Sequence, residues 1–167
     1  MPVQTKVTIK IGTQEIHKFS KLVIDQKVNA HHKFSIVIPI SFDSLSGAFD
    51  KAREFVGCKT LITITPNLFG VDNKLEVRGS ASEIKLIKAE GNMTGILVSG
   101  LVSSFRMEGL PNTQSYNDRD LEFIFKDIVS QYPSNILEPT FNADDKTVLP
   151  YTVQYNESNF GFLSRLA

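Results

Sequence analysis

The residues able to make or break bonds are few in this chain, and their spacing argues against most chemistry. Its histidines are His17, His31 and His32, and its single cysteine is Cys58. His31-His32 is the most metal-like pair, and His17 or Cys58 could supplement one of them. Adjacent side chains on an extended strand point to opposite faces, however, so the two do not meet at one ion. The histidines are read as solvated or turn-flanking, with no metal expected, and Cys58, just before a strand pattern, as a small buried hydrophobe. Nucleophilic catalysis needs an activated Ser or Cys, and no G-x-S-x-G elbow or other such device is present. Asp144-Asp145 and Glu157 are the carboxylates that could be imagined as a glycosidase-like pair. The first two lie in loop-like sequence, and Glu157 sits beside a helix start, where negative charge is favourable without any reaction. No phosphate-cradling glycine loop occurs, so no cofactor is expected. Lys85, Lys88, Phe105 and Arg106 could form a modest nucleic-acid surface, but 18 basic and 18 acidic side chains balance to zero. The expectation is a protein that is not an enzyme and binds no nucleic acid.

At 167 residues, with 41% hydrophobic and 22% charged, the chain has ordinary globular composition and room for one sizeable domain, or for one and the start of another. One cysteine excludes an intrachain disulfide framework and suits a reducing cytoplasm. The opening Met1-Pro2-Val3-Gln4-Thr5-Lys6 lacks the basic and apolar regions of a classical signal peptide, and no apolar run approaches a membrane span. Asn92-Met93-Thr94 and Asn156-Glu157-Ser158 fit the short glycosylation sequon, a pattern that arises often by chance.

The elements that would position these residues are mostly strands. Val3, Thr5, Val7, Ile9 and Ile11 alternate with polar residues, and Gly12-Thr13-Gln14 turns the chain. Further strands are predicted near 21–27, at Phe34–Phe42, at Thr60–Thr65, at Leu75–Ile87 with a bend or bulge at Gly79, and at Gly95–Met107 with a bend at Gly100. Pro39 has no N–H to donate, which predicts a free edge there. Between Ser44 and Val56 the period changes to helical, with Gly57 as the stop, and Pro66-Asn67 and Glu90-Gly91-Asn92 read as turns. Six strands and one inserted helix predict a small closed or nearly closed β-barrel over residues 1–108. Gly109, Pro111 and Asn112 mark a linker over 109–115. Residues 116–167 then read as helix, loop, strand and helix, an incomplete α/β domain whose first helix is capped by Asp120 and stopped by Pro133. The fold class is mainly β, with an α+β continuation.

The end of the chain is its most specific stretch. Tyr151, Val153 and Tyr155 alternate as a strand, and Phe160, Phe162, Leu163 and Leu166 follow at helical spacing behind Ser158, a good N-cap. An acidic residue at 161 would complete a capping box; Gly161 loses that reciprocal bond and costs the helix roughly 0.8–1 kcal/mol relative to alanine. Fewer than about ten helical residues in isolation are marginal in water, so fraying after Leu163 is expected.

This segment resembles the signature of the VgrG family, the spike proteins of type VI secretion, and of related hub and baseplate proteins of contractile phage tails. That pattern runs roughly Q-Y-x-E-S-D-x-x-F-L-x-R-L. Gln154, Tyr155, Glu157, Ser158, Phe162, Leu163, Arg165 and Leu166 fall in register, and are read as a packing signature with no catalytic role. Asn159 stands where the family usually has Asp, Gly161 where it is commonly acidic, and the family's Glu-rich turn ending in Gly does not follow. Weaker similarity lies at Val56-Gly57 leading to Leu61-Ile62, at Val77-Arg78-Gly79 and at Tyr116-Asn117-Asp118.

The resemblance implies the N-terminal hub part of a spike that trimerises. Three full subunits of two barrels each would present a pseudo-sixfold ring to a hexameric tube protein. The spike would assemble in the cytoplasm with baseplate components or effectors, then be driven out by a contracting sheath without a signal peptide. The chain reads as a fragment or a split-gene hub, expected to be monomeric or weakly associated at micromolar concentration. The alternative is a non-catalytic β-rich ligand- or glycan-binding module. That reading requires an exposed aromatic platform, and the absence of Trp speaks against one.

Overall fold

The computed structural model describes residues 5–40, 45–66, 74–88, 94–137, 139–142 and 144–167. The predicted features at Val3, Ser41, Phe42, Ser44, Asn67 and Glu90-Gly91-Asn92 lie outside them. The chain divides into two compact units, Met1–Val102 and Ser103–Ala167.

The first unit is one antiparallel sheet with a helix. Its strands are β1 (Thr5–Ile11), β2 (Gln14–Ile16), β3 (Lys21–Asp25), β4 (Lys33–Ile40), β5 (Lys59–Pro66), β6 (Leu75–Lys88) and β7 (Thr94–Val102), and helix α1 (Leu45–Arg53) joins β4 to β5. The ladder order is β2-β1-β5-β6-β7-β4-β3. Alternation drives it: Ile9, Ile11, Phe34, Ile36, Ile62, Val77, Ile96 and Val98 bury into one cluster, closed by Ala52 and Phe55 around α1. Ile16 of β2 and Leu22 and Ile24 of β3 pack on that same cluster, and among the described residues β2 and β3 stand at the two ends of the ladder order.

The sheet has seven strands where six were expected. The extra one, β2, is too short to show alternation; it pairs with β1 across Gly12-Thr13, where Gly12 takes φ 59°. Pro39 sits where β4 has only one neighbour: it pairs with Gly95 of β7, and the ladder to β3 has already ended at Val37. The irregularity in β6 falls between Ala81 and Glu83, two residues beyond the predicted Gly79. Gly79 and Gly100 serve close approach instead, because Phe34 and the opposite strand's carbonyls fill the space a Cβ would take. The last strand stops at Val102 rather than Met107; Ser103–Met107 is a 3₁₀ turn whose Met107 buries in the second unit's core.

The second unit has a two-stranded antiparallel sheet of β8 (Asn112–Asp120) and β9 (Val148–Glu157), with helices α2 (Leu121–Ser130) and α3 (Asn159–Leu166). Residues 112–115, expected as linker, are the start of β8, because the long ladder to β9 supplies backbone partners that local composition does not advertise. Asp120 caps α2, accepting from the Phe123 N–H at 2.7 Å. The core is Met107, Tyr116, Ile124, Ile128, Leu137 and Phe162. Glu122 on α2 pairs with Lys126, one turn on, and with Lys146 of the following loop, which together hold its carboxyl down at about 2.

Candidate functional site

The residues considered for chemistry are dispersed. His17 is an exposed neighbour of Glu15 at 3.9 Å, and His32 Nε2 lies 3.2 Å from the Lys27 carbonyl. The half-buried Cys58 donates its S–H to the Glu54 carbonyl at 3.1 Å in the turn after α1. Among the described residues no three His, Cys, Asp or Glu side chains come together in a metal-binding group. Asp145 is exposed, and its pKa is lowered first by the Thr147 hydroxyl and then by the Thr147 N–H, from which it accepts in an Asx turn. Lys85 pairs with Glu83 at 2.7 Å in the first unit, whereas Phe105 and Arg106 belong to the second. A shallow groove on the first unit holds Ser35, Ser82 and Ser99 beside Glu83, with the Ser99 hydroxyl 3.3 Å from the carboxylate.

What the structure does assemble is the β9–α3 junction. Extended chain places Gln154 inward, fully buried, while Tyr151 and Tyr155 point away from the core and are 65% and 74% exposed. Asn156 takes φ 48° and is the extra residue of a bulge, since Glu157 pairs with Asn112 and Tyr155 with Thr113. The bulge turns the strand into the helix. Ser158 caps α3 by accepting from the Gly161 N–H at 3.0 Å, the half of a capping box that survives without an acidic side chain. The helix continues to Leu166 with no early end: the Ala167 N–H still reaches the Leu163 carbonyl, and packing of Phe162, Leu163 and Leu166 supplies what length does not.

A polar network crosses the junction. Gln154 Nε2 donates to the Glu157 carbonyl at 3.0 Å and to Asn159 Oδ1 at 2.9 Å. Asn159 Nδ2 in turn donates to Tyr132 Oη at 2.8 Å and to Gln131 Oε1 at 3.3 Å, beyond the end of α2. Strand, cap and preceding helix are thus tied through Gln154 and Asn159, both of them almost wholly buried. Phe162, without exposed surface, stacks on Tyr116 with ring centroids 6.1 Å apart. The Tyr116 hydroxyl donates to Asp127 at 2.9 Å; burial and that carboxylate push its pKa up.

Arg165 clamps the outside of the junction. Its guanidinium donates to both carboxylate oxygens of Glu157, at 2.5 and 3.3 Å, and to the Val153 carbonyl at 2.8 Å, and lies 5.2 Å from the Phe162 ring centroid. Arg165 holds the Glu157 carboxyl below the usual carboxylate range. The carboxylate considered in the sequence as half of a glycosidase-like pair is thus the acceptor of the Arg165 fork. Tyr155 stands apart from the rest of its motif: among the described residues it pairs with Thr113 in the ladder, and its ring lies outside the buried cluster. Sequence reasoning missed Asn159, Gln131 and Tyr132 as the polar side of the junction; Asn159 sat in the motif only as a departure from it.

Both units, in order, occur in solved tail proteins. A tail protein from Neisseria meningitidis MC58 superposes with a TM-score of 0.69 at 13% identity, over 95% of this chain and 43% of its own. The 43 kDa tail protein of prophage MuSo2 from Shewanella oneidensis gives 0.64 at 13% identity, over 98% and 47%. The chain has the fold of phage tail proteins. An E. coli component of the type VI secretion system, itself structurally similar to T4 tail proteins, shares that fold at 0.50 and 12% identity, over 99% and 39%. By sequence, no family model and no curated protein matches. The chain spans less than half the length of each of these tail-fold proteins.

Proposed function

We propose that this chain is the N-terminal hub part of a VgrG-like spike, a non-enzymatic structural component of a contractile injection machine. In the full-length protein, three copies would form a ring that caps a hexameric tube. The spike would assemble in the cytoplasm with baseplate components or effectors and leave through the apparatus. The observation that carries the reading is coincidence: both units align in order along almost the whole chain with tail proteins, and the resembled signature falls on their β9–α3 junction. The junction is built for rigidity, with a buried amide network inside and an arginine fork outside. A hub that transmits a mechanical load needs that more than a reactive group.

The test is to express the full reading frame with the tube protein of the same locus and image the product. Spikes seated as trimers on tube ends are expected. A full-length protein that stays monomeric and ignores tube ends would sink the proposal. A tight trimer of the 167-residue chain alone, by light scattering, would instead remove the expectation that this chain is monomeric or weakly associated.

One observation favours the second reading, a glycan-binding module. Tyr151 and Tyr155 lie four residues apart on one exposed strand face, opposite Asn117 and Thr113 of β8, which gives an uncharged aromatic surface despite the lack of Trp. Oligosaccharide titration followed by tyrosine fluorescence tests it: saturable quenching abolished by Tyr151→Ala supports it, and an unchanged signal across a glycan panel removes it.

A further inference from the structure

We propose that β3 is a docking edge and that its occupant is a second copy of this chain, added antiparallel about Val23. β3 ends its sheet, with a ladder running only to β4, from Lys21 opposite Val37 to Asp25 opposite Lys33. Among the described residues no other backbone hydrogen bond reaches Lys21–Asp25. An edge strand offers its free N–H and C=O groups to any strand of matching register, and natural edges are blunted by shortness, charged side chains, proline or bulges; the charges Lys21 and Asp25 on β3 therefore admit only a partner that matches them. At the opposite end of the sheet β2 is only three residues long. β3 has five residues, and none of them is proline or glycine.

Its pattern selects the partner. Lys21, Val23 and Asp25 are exposed, while Leu22 and Ile24 pack on the core. Antiparallel pairing about Val23 sets Lys21 opposite the partner subunit's Asp25, twice by symmetry. It also sets Val23 against its own copy and Leu22 against the partner subunit's Ile24. The two-fold axis is perpendicular to the sheet, so exposed face continues exposed face. Parallel in-register pairing would bring Lys against Lys and Asp against Asp, and a two-residue slip of the antiparallel pair would set either Asp25 or Lys21 opposite Val23 and carry the other beyond the Lys–Asp match. Both charges are available, since Lys21 has no ion pair among the described residues and Asp25 has a half-exposed one with Lys27 at 3.5 Å. Extension outward places Ser20 against the partner subunit's Gln26, which adds no like-charge contact. A five-residue edge is small, so the dimer is weak and forms at high protein concentration.

The experiment is sedimentation equilibrium of the whole 167-residue chain from micromolar to millimolar concentration, with charge-reversal variants. The wild type is expected to dimerise, less tightly at high salt. Lys21→Glu and Asp25→Lys should each weaken dimerisation about tenfold or more, because both symmetry-related pairs become repulsive. An equimolar mixture of the two variants should restore dimers, since both acidic side chains on the edge of one then face the two lysines on the edge of the other. The double variant Lys21→Glu/Asp25→Lys should dimerise with itself. A wild type that stays monomeric throughout would overturn the proposal. So would a dimer unmoved by either reversal, or a mixture that fails to recover while both variants keep the wild-type circular dichroism and melting midpoint.

Discussion

Replacing Gly100 by alanine should unfold the first unit's sheet at markedly lower denaturant while leaving the second unit nearly untouched. The added Cβ would stand 2.2 Å from the Ser80 carbonyl oxygen and 2.4 and 2.8 Å from Cζ and Cε1 of Phe34. Carbon contacts are comfortable only at ~3.5–4 Å, so the strain exceeds what small adjustments relieve. Phe34 has little room to retreat, because it is buried and packed in the core cluster of the sheet. Nor has the carbonyl, since Ser80 and Leu101 are ladder partners beside the Ala81–Gly100 pair. Strands β6 and β7 must part by about 1 Å, adding an overpacking cost of ~1–3 kcal/mol to roughly one weakened hydrogen bond worth about 1 kcal/mol. The total, about 3 kcal/mol, should lower the urea midpoint by roughly 1–2 M. The assay separates the units by composition. There is no Trp, and all four tyrosines, Tyr116, Tyr132, Tyr151 and Tyr155, lie in Ser103–Ala167. Tyrosine fluorescence therefore reports the second unit, while far-UV circular dichroism weights the larger sheet of the first. The double variant Gly100→Ala/Phe34→Leu should recover part of the loss, because the ring contact goes and the carbonyl contact stays. A Gly100→Ala protein within about 0.5 kcal/mol of wild type, the range of an inert surface change, would refute the reasoning.

Arg165→Ala should cost about 1 kcal/mol at pH 7, through loss of the carboxylate fork and the Val153 bond at a half-exposed site. Glu157 has a depressed folded-state pKa, so its contribution is full above the unfolded value near 4.5 and lost as pH falls through the lower folded value; the cost of Arg165→Ala should shrink in acid, as checked by melts at pH 7 and pH 3. Gly161→Ala should stabilise the second unit by about 0.5–1 kcal/mol from helix propensity, provided the Ser158 hydroxyl, 3.2 Å from the new Cβ, shifts a few tenths of an ångström; loss of stability in a urea melt would mean the cap bond broke instead. Asn159→Asp should stay within about 1 kcal/mol of wild type, because Tyr132 can turn its hydroxyl and Gln131 its amide to donate, whereas Asn159→Leu takes one acceptor from the buried Gln154 amide and should cost ~1–3 kcal/mol by the same melt.

The sheet of the first unit was legible because burial there follows period two. Ile9, Ile11, Ile36, Ile62, Ile96 and Val98 announce their strands, and Ala52 and Phe55 mark the change at α1. β8 was illegible for the complementary reason: in Asn112–Asp120 only Tyr116 buries fully, and the segment is a strand because β9 pairs with it, not because its own residues prefer to be one. The bulge in β6 carries no local mark either. Ser82 is an ordinary strand residue there, while the glycines that looked like bends are needed beneath Phe34.

The junction separates what a motif shows from what it hides. Apolar spacing was enough to find Phe162, Leu163 and Leu166, because helical periodicity and burial are the same signal. The polar half could not be found that way. Gln154, Asn159, Gln131 and Tyr132 are neighbours only after α2 and β9 have been brought together across the loop between them, and no short-range pattern encodes that meeting. Once assembled, the network accounts for the burial of Gln154: the amide bridges strand to cap, and replacing it by an apolar group of equal size would leave Asn159 Oδ1 without its donor. The same logic sets Tyr155 apart. It is 74% exposed, and its ring lies outside the buried cluster, on the exposed strand face it shares with Tyr151.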